Sequence, residues 1–318
     1  MRATLVGLVW IAACYTPEIA PGAPCAPNGL CPEGQSCIDR FCVIPGLIDA
    51  SIDAAPDMDG DGKPDMMDNC PDIANPEQEN EDGDKFGNAC DPCPGFADDT
   101  PTDSDGDGVA DLCDPNPAMP GDKIELFEPF DHGLPSWMRT GDWTASSGAV
   151  RIDAPAETAL YMVVPASTTD HIQVFASVVI ESVATAMLHY IEVSLPNDTA
   201  GNLGIGCEAV QTAIDPTNAR YLSLWDGLNP TTNMPPFPPG RELASQSEFR
   251  WDVGKTYVLS LQRLGSIYTC RVISNDGAVT LDARGTSGNG ASVASPTVVV
   301  RARSLAVHVN WVMVVHSP

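Results

Sequence analysis

The sequence predicts an all-β chain, a C-terminal β-sandwich preceded by irregular repeats that lack a conventional core. From residue 122 onward, short alternating or β-branched runs recur, among them AVRIDA, HIQVFASVVIES, TYVLSLQRLG and LAVHVNWVMVV. Gly, Pro, Asn and Asp cluster between them, as they do between strands. No stretch shows amphipathic helical periodicity. More than ten such runs in about 200 residues imply two packed sheets. Between Asp57 and Asp114, by contrast, 19 Asp and Glu face only Lys63 and Lys85. That composition is too polar to bury a core and needs another source of cohesion.

The 318 residues suit two or three units. The formal charge of −27 disfavours nucleic acid and anionic lipid as partners. The chain begins MRATLVGLVWIAAC, with an apolar run from Ala3 to Ala13. The run is too short for a membrane span of about 20 residues but suits the core of a signal peptide. Ile11-Ala12-Ala13-Cys14 resembles the bacterial lipobox. That resemblance implies a signal peptide over 1–13, cleavage before Cys14 and a lipid on its sulfur; the alternative is an ordinary secretory signal. Tyr15, in place of Asp, resembles the pattern sorted to the outer membrane. The chain is thus expected to be an exported cell-surface lipoprotein that touches the membrane only through its anchor.

With Cys14 set aside, ten of the eleven cysteines remain, an even number that suits a disulfide framework in an exported chain. A Pro-rich tether (14–24) leads to a small Cys-rich knob (25–45). The knob's four cysteines, Cys25, Cys31, Cys37 and Cys42, imply two disulfides, because so small a piece cannot hold itself by burial. Their pairing is open. The knob resembles the CPxGxxCxxxxC modules that follow lipoprotein anchors; zinc is disfavoured because no C-x-x-C pair occurs. A linker rich in Ala, Asp and Ile (46–56) follows.

The acidic region, residues 57–121, repeats itself. Loop 1 places Asp57, Asp59, Asp61, Asp65 and Asp68 at positions 1, 3, 5, 9 and 12 of a twelve-residue stretch. Loop 2 places Asn80, Asp82, Asp84, Asn88 and Asp91 there, and loop 3 Asp103, Asp105, Asp107, Asp111 and Asp114. Successive loops start 23 residues apart, which marks a repeat architecture. Carboxylates this close repel unless a cation joins them. Calcium takes about 6–8 oxygen ligands at roughly 2.3–2.6 Å, and alternate residues of a tight loop aim their oxygens at one centre. Glycine at position 6 permits the turn. It is Gly62 in loop 1 and Gly108 in loop 3, but Lys85 in loop 2. With Asn80 and Asn88 also replacing Asp, the second site is expected to bind more weakly. The alternative is a solvated acidic spacer without metal.

EF-hands require Glu at position 12 and flanking helices; here position 12 is Asp and the flanks carry Pro and Cys. Dockerin modules share that Asp but need a following helix. The run DMDGDGKPDMMDNCPDIANPEQENEDGDKFGNACDPC instead resembles thrombospondin type 3 repeats, over about residues 57–114. The shared features are the Asp loops, Asn-Cys-Pro, the Asn and Gln before the next loop, and Ala-Cys-Asp-x-Cys. The resemblance implies that the fifteen named Asp and Asn residues bind calcium. It also implies that neighbouring cysteines pair, Cys70 with Cys90 and Cys93 with Cys113.

In the sandwich, residues 122–318, LFEPFDHGLPSWMRTGDWTASSGAVRI and WDVGKTYVLSLQRLGSIYTCRVI resemble the opening and the central hairpin of the concanavalin A-like, laminin-G-type jelly roll. Cys207 and Cys270 lie in separate predicted strands and are expected to pair; the alternative is two buried thiols. The glycosidases of that fold carry Glu-x-Asp-x-x-Glu on one strand. No such strand occurs here, and Glu192 stands alone in HYIEVSL. There is neither a Gly-x-Ser-x-Gly elbow nor a His-Glu-x-x-His motif, so the expectation is a protein without enzymatic activity. His308 and Trp311 are expected to pack. Trp137, Trp143, Trp225 and Trp251 could stack on sugars, with packing the simpler role. The Pro-rich loop 229–240 is a candidate partner contact or a stiff connector. The combined expectation is a calcium-stiffened stalk displaying a binding or adhesion domain for an unidentified surface glycan or protein; the alternatives are a divergent glycoside hydrolase on the same fold and a purely structural envelope protein.

Overall fold

The computed structural model describes residues 25–26, 30–31, 34–38, 41–43, 56–134, 136–146, 148–154, 156, 158–163, 170–184, 188–196, 204–212, 220–228, 241–246, 251–274, 279–287 and 297–317. The signal segment 1–13, Cys14, the tether to 24, linker residues 46–55 and the Pro-rich loop 229–240 lie outside the described residues. The chain forms two compact units, Met1–Gln78 and Glu79–Pro318. Their boundary falls inside the acidic array, so loops 2 and 3 share a unit with the sandwich.

In the first unit, β1 (Ser36–Ile38) and β2 (Phe41–Val43) form an antiparallel hairpin. The knob's cysteines pair as Cys25–Cys37 and Cys31–Cys42. In loop 1, Asn69, Asn75 and Gln78 build a polar scaffold. The Gln78 amide donates to Asp68 Oδ1 at 2.8 Å and to Asn75 Oδ1 at 2.9 Å, and Asn75 Nδ2 donates to Asn69 Oδ1 at 2.7 Å.

The second unit is an all-β sandwich, and its strands are antiparallel throughout. One sheet contains β4 (Met138–Thr140), β7 (Thr158–Val163), β9 (Leu188–Pro196), β10 (Gly204–Thr212), β11 (Arg220–Leu228), β12 (Arg241–Gln246) and β16 (Thr297–Arg303). Its order is β12-β11-β10-β9-β16-β7-β4. The other contains β3 (Lys123–Glu128), β5 (Thr144–Ala145), β6 (Val150–Ala154), β8 (His171–Val183), β13 (Thr256–Leu264), β14 (Ile267–Ser274), β15 (Val279–Thr286) and β17 (Leu305–His316). Its order is β15-β14-β13-β8-β17-β6-β5, with β3 also paired to β17. The last strand thus returns beside the first, as in a jelly roll. Among the described residues there is no helix.

The alternation that marks strands fills the space between the sheets. In β6, Val150, Ile152 and Ala154 point inward while Arg151 and Asp153 are exposed. Val174, Ala176 and Val178 of β8 meet Ile191, Val193 and Leu195 of β9 across the core. Cys207 of β10 and Cys270 of β14, on opposite sheets, are joined by a disulfide through this core. Closing its 63-residue loop contributes about 4 kcal/mol in the chain-entropy picture.

The eight-stranded sheet is buried on its other face as well. Phe175, Val258, Ile273, Trp311, Met313 and Val315 project away from the main core and form a second cluster with Cys93, Phe96, Val109, Ala110 and Cys113 of the acidic region. Phe96 stands edge-on to Phe175 at 5.8 Å and to Trp311 at 5.6 Å. Gly95 lies on the Trp311 ring, where a Cβ would come within 2.5 Å of a ring carbon. A strand covered on both faces needs apolar side chains at consecutive positions, which accounts for the nearly unbroken run WVMVV in β17. Trp137, Trp143, Trp251 and Trp311 are all buried; Trp225 is partly exposed.

Candidate metal centres

The three loops share one hydrogen-bond plan. The position-1 side chain accepts the position-4 amide: Gly60 to Asp57 at 2.8 Å, Gly83 to Asn80 at 2.7 Å, Gly106 to Asp103 at 2.7 Å. The position-5 Oδ1 accepts the position-7 amide, in Asp61, Asp84 and Asp107 alike. Its Oδ2 accepts an amide fourteen residues further on, from Asn75, Asp98 and Gly121. The position-12 Oδ1 accepts the amide two residues later, from Cys70, Cys93 and Asn116. These bonds engage both oxygens of the position-5 aspartates, and Asp57 and Asp103 at position 1 also accept amides at both oxygens, whereas the position-12 aspartates take these amides through Oδ1 alone.

Carboxylate oxygens at position 3 in every loop, and at position 12 in loops 1 and 3, lack donors. Asp59 Oδ2, Asp68 Oδ2, Asp82 Oδ2, Asp114 Oδ2 and both oxygens of Asp105 are buried without a hydrogen-bond partner. In loop 1 the structure gathers Asp57, Asp59 and Asp61, with oxygens within 4.8 Å of one another; in loop 2 it gathers Asp82, Asp84 and Asp91, and in loop 3 Asp103, Asp105 and Asp107. Orphaned carboxylate oxygens that converge in this way are costly without a counter-charge. A set made only of oxygen donors fits a hard divalent cation such as calcium, so these residues would hold it.

Position 9 is used differently. Asp65, Asn88 and Asp111 accept the position-2 amides of Met58, Glu81 and Ser104 at 2.8, 3.0 and 2.8 Å. They brace the loop against its own backbone and do not belong to the gathered carboxylates.

The electrostatics follow this division. The amides of Gly108 and Gly106 hold the Asp103 carboxyl below its usual range. Burial raises Asp59, Asp82 and Asp105, and like charges within each loop add to the effect. Burial pushes Asp91 up to about 7 and Asp114 up to about 7, with Asp122 reinforcing the latter. Burial also pushes Glu81 up to about 7, helped by contact with Asp131. Burial disfavours the charged form of these carboxyls, and either a proton or a bound cation relieves it.

Loop 2 departs from its neighbours where its sequence does. Gly62 and Gly108 adopt positive φ and donate their amides to the position-1 carboxylates, Asp57 and Asp103. Lys85 does not adopt positive φ, and its amide goes instead to Asp99 Oδ1 at 3.0 Å. Asn80 turns its amide to the Asp84 carbonyl at 2.7 Å.

Cys93 and Cys113 are joined by a disulfide, and Cys70 and Cys90 are also disulfide-bonded cysteines. Two features lay beyond sequence reasoning. Asp122, just before β3, enters loop 3: its amide and that of Gly121 both donate to Asp107 Oδ2, at 2.6 and 2.9 Å. Glu192 is not alone either, because register sets Glu208 of β10 directly opposite it. Both glutamates are buried, and Arg301 lies 3.5 Å from Glu192. A cavity of ≈ 320 Å³ beside loop 2 is lined by Glu81, Asp82, Ser177, Thr256, Asn310 and Trp311, among others.

The thrombospondin type 3 repeat family matches residues 55–78. Among curated proteins, none matches the chain. Among solved structures, the chain is similar to the CBM2 module of the evolved Dit of Lactobacillus casei BL23 phage J-1, at 11% identity, 61% of this chain, 96% of that one and a TM-score of 0.47. It is similar to the carbohydrate-binding module CBM66 from Bacillus subtilis, at 11% identity, 56% and 93% coverage and a TM-score of 0.39. It is also similar to the exoplasmic/lumenal domain of VIP36 in a Ca2+/Man3GlcNAc-bound form, at 14% identity, 61% and 89% coverage and a TM-score of 0.46.

Proposed function

We propose that the chain is a calcium-binding, lipid-anchored surface protein whose β-sandwich binds a glycan or a surface protein, with adhesion as its role. One observation carries the calcium reading: in all three loops the position-3 aspartate keeps a buried oxygen that meets no donor, within or beside a set of gathered carboxylates. Extracellular modules of this kind bind calcium at roughly 10⁻⁴–10⁻³ M, which suits a displayed protein. The Cys14 pattern supports the anchor. The cavity beside loop 2 supports a hydroxyl-rich ligand, since Ser177, Thr256 and Asn310 offer hydrogen bonds around the edge of Trp311. The test is retention of the full chain on immobilised polysaccharides, with calcium and with chelator. Saturable retention on one polymer, lost with chelator, is the expected result; no retention on any polymer in either condition would overturn the glycan reading.

A second reading, glycoside hydrolysis, is favoured by Glu192 and Glu208. Residues directly opposite in antiparallel strands have Cβ atoms about 5 Å apart, near the separation that retaining glycosidases use. Arg301 argues the other way, since it neutralises Glu192 in a buried ion pair. Release of reducing ends from a polysaccharide, abolished by Glu208→Gln, would establish this reading at the expense of the first.

A further inference from the structure

We propose that the outer face of the seven-stranded sheet holds a subsite for a sugar unit carrying a free amino group, built on Glu192, Ser194, Ser223 and Trp225. The proposal rests on the glycan reading and deepens it by naming a place and a class of sugar. The place is separate from the cavity beside loop 2, whose strand residues Ser177, Thr256, Asn310 and Trp311 belong to the other sheet.

Alternation sets the face. Ile191 and Val193 of β9, Ile205 and Cys207 of β10, and Leu222 and Leu224 of β11 point into the core. Glu192, Ser194, Gly206, Glu208, Ser223 and Trp225 therefore lie on the other side of the sheet. Register arranges them in two rows. Glu192, Glu208 and Ser223 stand side by side on the three strands, and Ser194, Gly206 and Trp225 form the next row. Two strand spacings by one side-chain repeat give a patch of about 10 Å by 7 Å, the footprint of a single sugar ring. Gly206 has no side chain, which leaves the middle of the second row open.

The four corners of this patch are short of partners. Glu192 Oε2, Ser194 Oγ, Ser223 Oγ and Trp225 Nε1 are buried and, among the described residues, meet no hydrogen-bond partner. Glu192, Ser194 and Ser223 are fully enclosed, whereas Trp225 is partly exposed and its neighbours on β12, Glu242 and Ser245, are exposed. The patch thus reaches solvent at its Trp225 edge. Orphaned polar groups this close together are costly until a polar ligand fills the gap between them. A carboxylate that only accepts, an indole N–H that only donates and two hydroxyls that do both match a ring bearing N–H and O–H groups side by side.

Charge selects among such rings. On the described part of this face, Glu192, Glu208 and Glu242 outnumber Arg301 and Arg303. Arg301 approaches Glu192 Oε1 at 3.5 Å and leaves Oε2 without a partner. An acidic sugar is repelled here, whereas an ammonium at Oε2 makes a charge-assisted hydrogen bond. The −27 charge of the chain also draws a cationic glycan toward its surface.

The test is titration calorimetry of the full chain, in millimolar calcium throughout, with a glucosamine tetramer, its N-acetylated counterpart and a glucose tetramer. The expected result is that the amine tetramer binds about tenfold tighter than the other two and that Glu192→Gln removes this advantage. Glu192→Gln takes away only one of 43 acidic groups, so diffuse attraction between the chain and a cation barely changes. Equal affinity for the three tetramers, or native affinity in Glu192→Gln, would overturn the inference and leave the glycan reading in place. No affinity for any of the three would also overturn it, and retention on immobilised polysaccharides then decides the glycan reading separately. Should Glu192→Gln fail to fold, Trp225→Phe, at the partly exposed corner, keeps a ring and removes the N–H; weaker binding of the amine tetramer is expected, and native affinity would overturn the inference.

Discussion

Loops 1 and 3 have the same carboxylate plan but are held in place by different forces. At positions 7 and 8, loop 1 has Lys63 and Pro64, whereas loop 3 has Val109 and Ala110. Val109 and Ala110 are buried in the second apolar cluster with Phe96 and Trp311. Loop 1 leaves Met58 and Met66 exposed and relies on the amide scaffold of Asn69, Asn75 and Gln78. The comparison separates two roles within one motif: the spaced carboxylates make the cage, and the residues between them decide what the cage is attached to. Loop 3 belongs to a folded layer and loop 1 to a small unit without an ordinary core.

The largest expected difference between the two loops follows calcium removal. Folding coupled to metal binding leaves little structure without the metal where no other core exists. Chelator should therefore expose residues 57–78 to protease first, while the sandwich and loop 3 persist to higher temperature. The pH response sharpens this. Without calcium, Glu81, Asp91 and Asp114 have folded pKa values raised to about 7, above the usual carboxylate range. The folded state then binds more protons than the unfolded one between about pH 4 and 7, so metal-free stability falls as pH rises through that window. Calcium must displace the protons of Asp91 and Asp114, so its stabilising effect grows over the same window. Melting curves at pH 5 and pH 8, with calcium and with chelator, check both signs; a calcium effect that shrinks toward pH 8 would contradict the assignment of these carboxyls as ligands or neighbours of the ions.

Next in size is the apolar attachment. Phe96→Ala removes the ring that meets both Phe175 and Trp311. Large-to-small changes at buried aromatic residues cost about 3–5 kcal/mol. Heat or denaturant unfolding should show a loss of that order in the second unit, while the protease resistance of loop 1 in calcium stays unchanged. Equal loss in both would mean that the loops do not differ in what holds them.

The sequence made the cage legible because its ligand positions are local: three loops with a 23-residue period can be read without knowing the fold. The strands of the sandwich were legible for the same reason, since alternation in β6 is a property of five consecutive residues. What the sequence hid depends on pairing over long distances. Composition placed the end of the acidic region near residue 121, but Phe96, Val109 and Ala110 carry loops 2 and 3 onto the sandwich. Those apolar residues inside an acidic stretch were the available signal. Asp122 lies beyond the last loop and becomes a neighbour of Asp107 only because the chain turns at Gly121. Glu208 meets Glu192 only through the β9–β10 register. Position 9 matches the spacing of a ligand, and its side chain also accepts the position-2 amide, a bracing role that spacing does not reveal.

The smallest effect lies between loop 2 and its neighbours, and it isolates one backbone position. In loops 1 and 3 the position-6 glycine takes a positive φ and sends its amide to the position-1 carboxylate, which holds that carboxylate toward the centre. Lys85 would be strained in that conformation, and its amide turns to Asp99 instead. Lys85→Gly should release the turn, return the amide to Asn80 and raise the calcium affinity of loop 2 by a factor of about 3–10, equivalent to roughly 1 kcal/mol. Lys85→Ala separates charge from conformation. It removes the ammonium, which lies over the Phe86 ring at 4.7 Å, but keeps the Cβ that disfavours positive φ. If the backbone sets the affinity, Lys85→Ala leaves loop 2 weak and only the glycine variant strengthens it; if the two variants gain equally, the lysine charge was the cause and the turn was not.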